Sequence, residues 1–316
     1  MIPYTGLRKV PRMDLAQEVP LVLPLTIHVE PTSICNFNCS FCPVSLPTYS
    51  EDTGGAQHMT MGLYSKILSD LLPMGRIRSL KLYMVGEPFL NPHLVEMVEA
   101  ARMLDIAERI EITTNGSLVS GDVVDPLLHS GLDYLRFSIY ATGETQITRN
   151  VRNVVKRRNE LGLAKPYICV KYIGRTQKEI DKFLQTYEGV GDEQIVEPLG
   201  NWGDTIVLAE ASKKEVCPFI FYMLGIKANG DVLPCCIDWK ASMKLGNVKE
   251  QSIKEIWDGA PRARIVEAHL ERNRRNLPVC ISCTLPKTTP DDLESLTLDE
   301  YERRSAVKLA DEVFGI

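Results

Sequence analysis

The chain has 316 residues, 44% hydrophobic and 24% charged, a composition that argues against disorder and gives length for one larger domain plus a small appendage, or for two modest domains. With 36 Lys and Arg against 41 Asp and Glu, the net charge of -5 offers no basic field for a phosphate backbone, so nucleic acid is excluded as the expected partner and small molecules fit better. The first twenty residues lack a signal-peptide core and no run of about 18 apolar residues is present to span a bilayer. A cytoplasmic protein without a membrane partner is therefore expected, in which nine cysteines, an odd number, are reduced thiols that bind metal or react.

In chain order, Leu23, Leu25, Ile27 and Val29 alternate with Thr26, His28 and Glu30, the pattern of a strand that runs into the first cysteine cluster. Further strands are expected at Leu80 to Val85, Arg109 to Thr114, Tyr134 to Tyr140, Tyr167 to Ile173 and Gln194 to Leu199. Between them lie helical patterns at Met61 to Leu72, from Asn91 (Asn as cap, Pro92 at the first helical position), and at Asp122 to Leu128, Val151 to Leu161 and Lys178 to Tyr187. Strands alternating with helices imply a parallel sheet, with a partial (β/α)6 TIM-type barrel as first choice and an open doubly wound sheet as second. The alternation stops around Gly200 to Lys214, and from Cys217 short elements rich in Cys, Gly and Pro mark a second module. The expected division is an N-terminal extension over 1–20, the barrel over 21–205, a cysteine-rich domain over 206–286, and a C-terminal helical tail over 287–316 with an amphipathic helix near Leu298 to Val313.

Cys35, Cys39 and Cys42 stand in a C-x3-C-x2-C spacing within one loop, C-N-F-N-C-S-F-C. Four ligands are usual for structural zinc or an ordinary cubane, and this run supplies three. A three-thiolate [4Fe–4S] cluster leaves one iron open to bind and activate a substrate; a zinc loop borrowing a distant fourth ligand is the alternative. The octapeptide, with Phe41 before its last cysteine, resembles the signature of the radical S-adenosylmethionine superfamily. The resemblance extends to Gly86, Glu87 and Pro88, similar to a G-E-P motif whose backbone and carboxylate receive the methionyl ammonium. It also extends to Thr114 and Asn115 at the end of the third strand and Ser138 late in the fourth, which resemble positions holding the ribose and the methionyl carboxylate. Gly-Glu-Pro and Asn-Gly also make ordinary turns, and Arg149 and Arg152 are either a cation for that carboxylate or an exposed helix face.

Cys217, Cys235, Cys236, Cys280 and Cys283 form a second set. Their surroundings, G-I-K-A-N-G-D-V-L-P-C-C before L-G-N-V and S-I-K-E-I-W, resemble the SPASM and twitch modules that carry auxiliary [4Fe–4S] clusters. Full SPASM modules carry enough cysteines for two clusters and this set suffices for one, so the resemblance implies a twitch-like arrangement with Cys217, Cys235, Cys280 and Cys283 as ligands. A zinc ribbon is the alternative. Cys236 is then a spare thiol, either a small buried hydrophobe or a hydrogen-atom donor to a substrate radical, and Cys169 is a core residue.

Membership implies that S-adenosylmethionine, cleaved at the reduced first cluster, provides a 5'-deoxyadenosyl radical that abstracts hydrogen from substrate, with a reductant such as flavodoxin or ferredoxin as partner. Resemblance to carbohydrate-modifying twitch members points to a sugar or aminocyclitol undergoing dehydrogenation or epimerisation, with dehydration as a further outcome. Lys171, Arg175 and Glu197 are candidates for handling the alcohol proton or for surface charge. The alternatives are a peptide or protein side-chain maturase and a non-enzymatic zinc- or cluster-binding module docking partners through Trp202, Trp239 and Trp257.

Overall fold

The computed structural model describes residues 13–140, 143–173, 176–203 and 205–314. Six strands alternate with helices as the patterns require: β1 (Thr26–Val29), β2 (Ile77–Lys81), β3 (Ala107–Thr114), β4 (Tyr134–Ile139), β5 (Tyr167–Ile173) and β6 (Glu193–Glu197), joined by helices Met61–Leu71, Leu94–Met103, Val124–His129, Gln146–Glu160 and Gln177–Thr186. Three more strands follow, β7 (Met223–Ile226), β8 (Asp231–Leu233) and β9 (Gly246–Asn247), then helices Ile253–Trp257, Ala260–Leu270 and Leu298–Phe314.

All nine strands share one sheet in the order β6-β5-β4-β3-β2-β1-β7-β8-β9. The first six are parallel and strictly consecutive. A doubly wound sheet would reverse its order at a switch point. Crossovers of one hand that always step the same way put every helix on one face instead, which is the barrel arrangement and not the open alternative. β7 lies parallel to β1 on its other side, and β8 and β9 continue antiparallel, so the cysteine-rich region is hydrogen-bonded into the same sheet.

The strands separate two faces by their period of two. Ile27, Leu80, Ile110, Ile112, Leu135, Phe137, Ile168 and Val170 join Ile67, Leu68, Met97, Val98, Val151, Val154 and Phe183 of the helices in one core. Register sets His28 beside Lys81 and Lys81 beside Glu111 on the other face, and buried Ser79 donates to Glu111 Oε1 at 2.6 Å. That second face is buried and polar.

Several expected boundaries move. β1 begins at Thr26, so Leu23 precedes it, and β6 ends at Glu197. β2 covers Ile77–Lys81, earlier than the Leu80 to Val85 run: Leu82 N still donates to Glu111 O, and the chain then leaves the ladder toward Gly86. The second helix begins at Leu94 rather than at a cap on Asn91. Asn91 is instead a buried clasp, its side-chain amide donating to Pro31 O and Met59 O.

Candidate functional site

The three thiols of the first set lie in the loop that leaves the C-terminal end of β1, the end at which barrel sheets carry their sites. Local backbone folds this loop around the sulfurs: Phe37 N–H donates to Cys35 Sγ at 3.4 Å, and Cys42 N–H donates to Cys39 O at 2.9 Å. Val44 N–H likewise donates to the Cys42 thiol, which burial pushes up to about 12. Burial also raises Cys35 and Cys39, so all three thiols favour protonation until a cation draws the proton away. Phe41 packs against Tyr140, just beyond β4, with ring centroids 5.4 Å apart.

The ends of β2, β3 and β4 converge on this loop. Gly86 is required by close approach: a Cβ there would stand 2.1 Å from Thr32 O and 2.8 Å from Ile34 O. Glu87 N–H donates to Ile34 O at 2.8 Å. Its buried carboxylate accepts from Thr114 Oγ1 (2.6 Å), Asn115 N (2.7 Å) and Phe89 N (3.2 Å), so it clasps the end of β3, while Pro88 starts a short helical turn. Burial raises the Glu87 carboxyl and these donors oppose it. Asn115 donates to Asn36 Oδ1 within the cysteine loop at 2.9 Å, and Asn36 in turn donates to Ser117 Oγ at 2.9 Å. Ser138 is buried and hydrogen-bonded to the Tyr140 side chain. Cys35, Glu87, Thr114 and Asn115 thus form one connected group.

The two arginines behave differently from a carboxylate clamp. Arg149 is exposed and donates to Gln146 Oε1; Gln146 in turn donates to Asn150, whose side chain holds Gly116 O at 2.9 Å. Arg152 pairs with Glu144 and donates to Thr186 O, which ties two helices and takes it out of the site. Arg175 lies outside the described residues.

The second set assembles from distant stretches. Cys217, Cys235, Cys280 and Cys283 are all buried, and after burial itself the neighbouring thiols raise one another: Cys283 and Cys280 act on Cys217, and both act on Cys235. Amide donors serve this set too, from Phe219 N to Cys217 and from Leu285 N to Cys283 Sγ at 3.4 Å. Among the described residues no three His, Cys, Asp or Glu side chains meet closely enough to grip a single ion. Sulfurs around one zinc would stand about 3.8 Å apart, whereas a cubane takes each thiolate on a separate iron. Four buried thiols, two of them met by backbone amides, match a cubane's need for one thiolate on each iron.

Cys236 is half-buried. Burial raises its thiol to about 11, with the Lys81 ammonium opposing that rise and the Cys283 thiol adding to it, and it packs against the main core. Cys169 is fully buried in β5, as expected of a core residue. Trp239 and Trp257 are also buried, at 2% and 1% exposure, and Trp202 and Cys42 each pack against the cluster of Tyr49, Val85 and Trp239. Trp239 and Trp257 fill the interior and offer no docking surface, while Trp202 is half-buried.

Lys171 and Glu197, at the ends of β5 and β6, pair at 3.4 Å. Burial acts to raise the Glu197 carboxyl, and the Lys171 and Arg136 charges outweigh it. The polar face adds residues that sequence patterns did not single out. Glu111 has burial opposed by Lys81 and Arg109 and is held down at about 2. His28 is buried, its Nδ1 3.4 Å from Tyr83 O, its Nε2 without a hydrogen-bond partner among the described residues, and burial followed by Lys81 lowers it to about 3. Alternation in β1 to β3 was the available signal for this row.

A model of the radical SAM superfamily matches residues 29–185, and one of the SPASM iron-sulfur cluster-binding domain matches residues 217–284. The chain belongs to the radical SAM superfamily. Its two matched domains bring S-adenosylmethionine and [4Fe–4S] clusters, including an auxiliary one. Relatives include the S-adenosyl-L-methionine-dependent 2-deoxy-scyllo-inosamine dehydrogenase of Niallia circulans, 24% identical over 81% of this chain and 91% of the relative. The tungsten-containing aldehyde ferredoxin oxidoreductase cofactor-modifying protein of Pyrococcus furiosus is 28% identical over 46% of the chain, and GTP 3',8-cyclase of Chlorobaculum tepidum is 32% identical over 46%. Only 43% of each of those two relatives is spanned. Among solved structures, BtrN in complex with AdoMet and 2-DOIA superposes with a TM-score of 0.61 at 20% identity, covering 83% of this chain and 93% of that one. Streptococcus suis SuiB bound to precursor peptide SuiA gives 0.61 at 16%, covering 86% and 72%. These superpositions establish the fold. Among the described residues no helix is long and apolar enough to cross a membrane.

Proposed function

We propose that this radical SAM enzyme dehydrogenates a sugar or aminocyclitol, with Cys35, Cys39 and Cys42 holding the cluster that binds S-adenosylmethionine and Cys217, Cys235, Cys280 and Cys283 holding the auxiliary cluster. The observation that carries this reading is the buried polar face of β1 to β6, on which His28 Nε2 has no hydrogen-bond partner among the described residues. An orphaned buried nitrogen is costly unless something supplies its hydrogen bond, and a hydroxylated ring suits such a face. The extent of the dehydrogenase match supports the same substrate class.

When bound, the first cluster and S-adenosylmethionine supply the 5'-deoxyadenosyl radical that removes a hydrogen atom from a C–H bond. The chain's residues position and screen that event. The carbonyls around Gly86 accept the methionyl ammonium, while Glu87 keeps Thr114 and Asn115 in place for the ribose and carboxylate. Ser138 and Phe41, joined through Tyr140, border the nucleoside. His28, Lys81 and Glu111 hold substrate hydroxyl or amino groups. Glu197, kept ionised by Lys171 and Arg136, suits holding an ammonium or hydroxyl better than accepting a proton. The barrel is assigned to 21–205 and the cluster module to 206–286, flanked by 1–20 and 287–316, in a reducing cytoplasm with flavodoxin or ferredoxin as electron donor.

Anaerobically purified protein is expected to contain about eight irons per chain, and a Cys35→Ala, Cys39→Ala, Cys42→Ala triple variant about four. Dithionite and S-adenosylmethionine should yield 5'-deoxyadenosine from the parent and none from the triple variant, and a panel of aminocyclitols and sugars should contain one that is oxidised. Zinc without iron would end the reading. The spare half-buried thiol of Cys236 favours a second outcome, epimerisation. In that case the thiol gives a hydrogen atom to the substrate radical, and the resulting thiyl is returned to the thiol by one electron from the external reductant and one proton. Cys236→Ala separates the two: a dehydrogenase continues to oxidise, and an epimerase loses turnover.

A further inference from the structure

Two fully buried side chains beside the second cysteine set have no part in the reaction as proposed. His269 stands in the last turn of helix Ala260–Leu270, and Arg274 begins the short turn Arg274–Asn276 that follows. Cys217 N–H donates to His269 Nδ1 at 3.0 Å. A nitrogen that accepts carries no proton, so the imidazole proton is on Nε2. Nε2 is 3.7 Å from Cys280 Sγ, and the N–H therefore aims at the sulfur. Cys217 and Cys283 receive backbone amides from the residue two positions on, whereas His269 provides the donor at Cys280.

Arg274 is the second element. Its guanidinium donates to Lys214 O (2.6 Å), Ser212 O (2.7 Å) and Cys280 O (2.7 Å). Among the described residues it forms no ion pair. A guanidinium removed from water with only neutral carbonyls around it is strongly unfavourable unless an anion is close. The Arg274 bond to Cys280 O sets the charge against the buried second cysteine set, so the missing counter-charge is the thiolates that this set presents to a bound cluster.

We propose that His269 and Arg274 raise the reduction potential of the auxiliary cluster through an N–H bond to the Cys280 sulfur and an uncompensated buried positive charge. Both favour the reduced, more negative state over the oxidised one. The pair thus biases the cluster toward accepting an electron, the direction that dehydrogenation needs. His269 and Arg274 are positioning residues: neither touches substrate. The inference rests on the assignment of Cys217, Cys235, Cys280 and Cys283 as ligands.

The test uses the full chain with Cys35, Cys39 and Cys42 replaced by Ala, so that one cluster remains, and measures iron, sulfide and the midpoint of an EPR-monitored redox titration. His269→Leu and Arg274→Met should each move the midpoint to more negative potential with about four irons retained, while His269→Gln, which keeps an N–H, and Arg274→Lys, which keeps the charge, should restore most of it. An iron-replete His269→Leu or Arg274→Met protein with the parent's midpoint overturns the proposal. So does a parent cluster that dithionite cannot reduce. If the substituted chains lose iron, [15N]histidine labelling of the parent decides: a weak nitrogen coupling to the reduced cluster supports the N–H bond, and either no coupling or the strong coupling of a direct ligand overturns it. Absence of iron from the triple variant, by contrast, removes the ligand assignment itself, so the two failures are distinguishable.

Discussion

Gly86 shows how much of the site depends on single atoms. Its backbone passes so near Thr32 O and Ile34 O that a methyl group would overlap both, and carbonyls fixed in the loop after β1 cannot swing aside as a flexible side chain could. Gly86→Ala should therefore cost about 3 kcal/mol and part Glu87 from the cysteine loop, read as a lower thermal midpoint together with loss of 5'-deoxyadenosine formation. Retained stability with full cleavage activity would show that the close approach relaxes. At this scale the sequence was legible where chemistry carries its own spacing: Cys35, Cys39 and Cys42 announce a centre, and the 280/283 pair announces another. It was silent on His28, His269 and Arg274. Each is one polar residue whose role depends on a partner far along the chain, and Cys217 is 52 positions from His269. Glu87 and Arg152 were half legible. A carboxylate and a guanidinium suggest a ligand, but an internal partner satisfies each first, Thr114 with Asn115 in one case and Glu144 in the other.

The helices deliver the loops, and their ends matter more than their middles. Helix Gln146–Glu160 starts with a capping box in which Thr145 Oγ1 accepts from Thr148 N, while the Thr148 hydroxyl faces Thr145 N. This first turn carries Asn150, which binds Gly116 O and Ser117 O just past β3. Ile147 is the one apolar residue of this turn and packs on the core four positions before Val151. Beside Gln146, Thr148, Arg149 and Asn150 it is a weak signal, and Thr at the third position is not the usual Glu or Gln, so the pattern placed the start at Val151. β2 was misplaced for the converse reason, since Leu82 and Val85 are buried apolar residues past the end of β2, of which Leu82 keeps one bond to β3. Thr145→Ala should lower stability by about 1 kcal/mol, with 5'-deoxyadenosine formation nearly intact because the other helical bonds hold the turn. Asn150→Ala should cost about 1–3 kcal/mol by leaving buried carbonyls unpaired, and cleavage should fall with it. Thermal unfolding and single-turnover cleavage compare the two, and equal losses of activity would mean that Asn150 does not govern the 115–117 loop.

Taken whole, the molecule is joined where the sequence suggested a division. β1 has all four residues buried and is flanked by β2 on one side and β7 on the other. Glu30, just beyond it, accepts from Ala228 N at 3.1 Å, Trp257 Nε1 donates to Leu21 O at 3.1 Å, and Lys240 pairs with Asp52 at 2.9 Å. Tyr49 stacks on Trp239 with centroids 5.5 Å apart, which fixes the segment after the first cysteines against the second module. A change in texture near residue 200 was readable as a boundary, but strand pairing across it is non-local and leaves no periodic trace. A chain ending at residue 205 would lose β7 to β9 and expose β1, with its row of unpaired amides and carbonyls beside apolar side chains, as a new sheet edge. Such a fragment should aggregate on expression and bind little iron even though it keeps Cys35, Cys39 and Cys42, whereas the full chain with Cys217, Cys235, Cys280 and Cys283 replaced by Ser should elute as a folded protein and retain its first cluster. Size-exclusion chromatography with iron analysis makes the comparison, and a monodisperse, iron-loaded 1–205 fragment would show that the barrel holds its first cluster without the strand that β7 supplies.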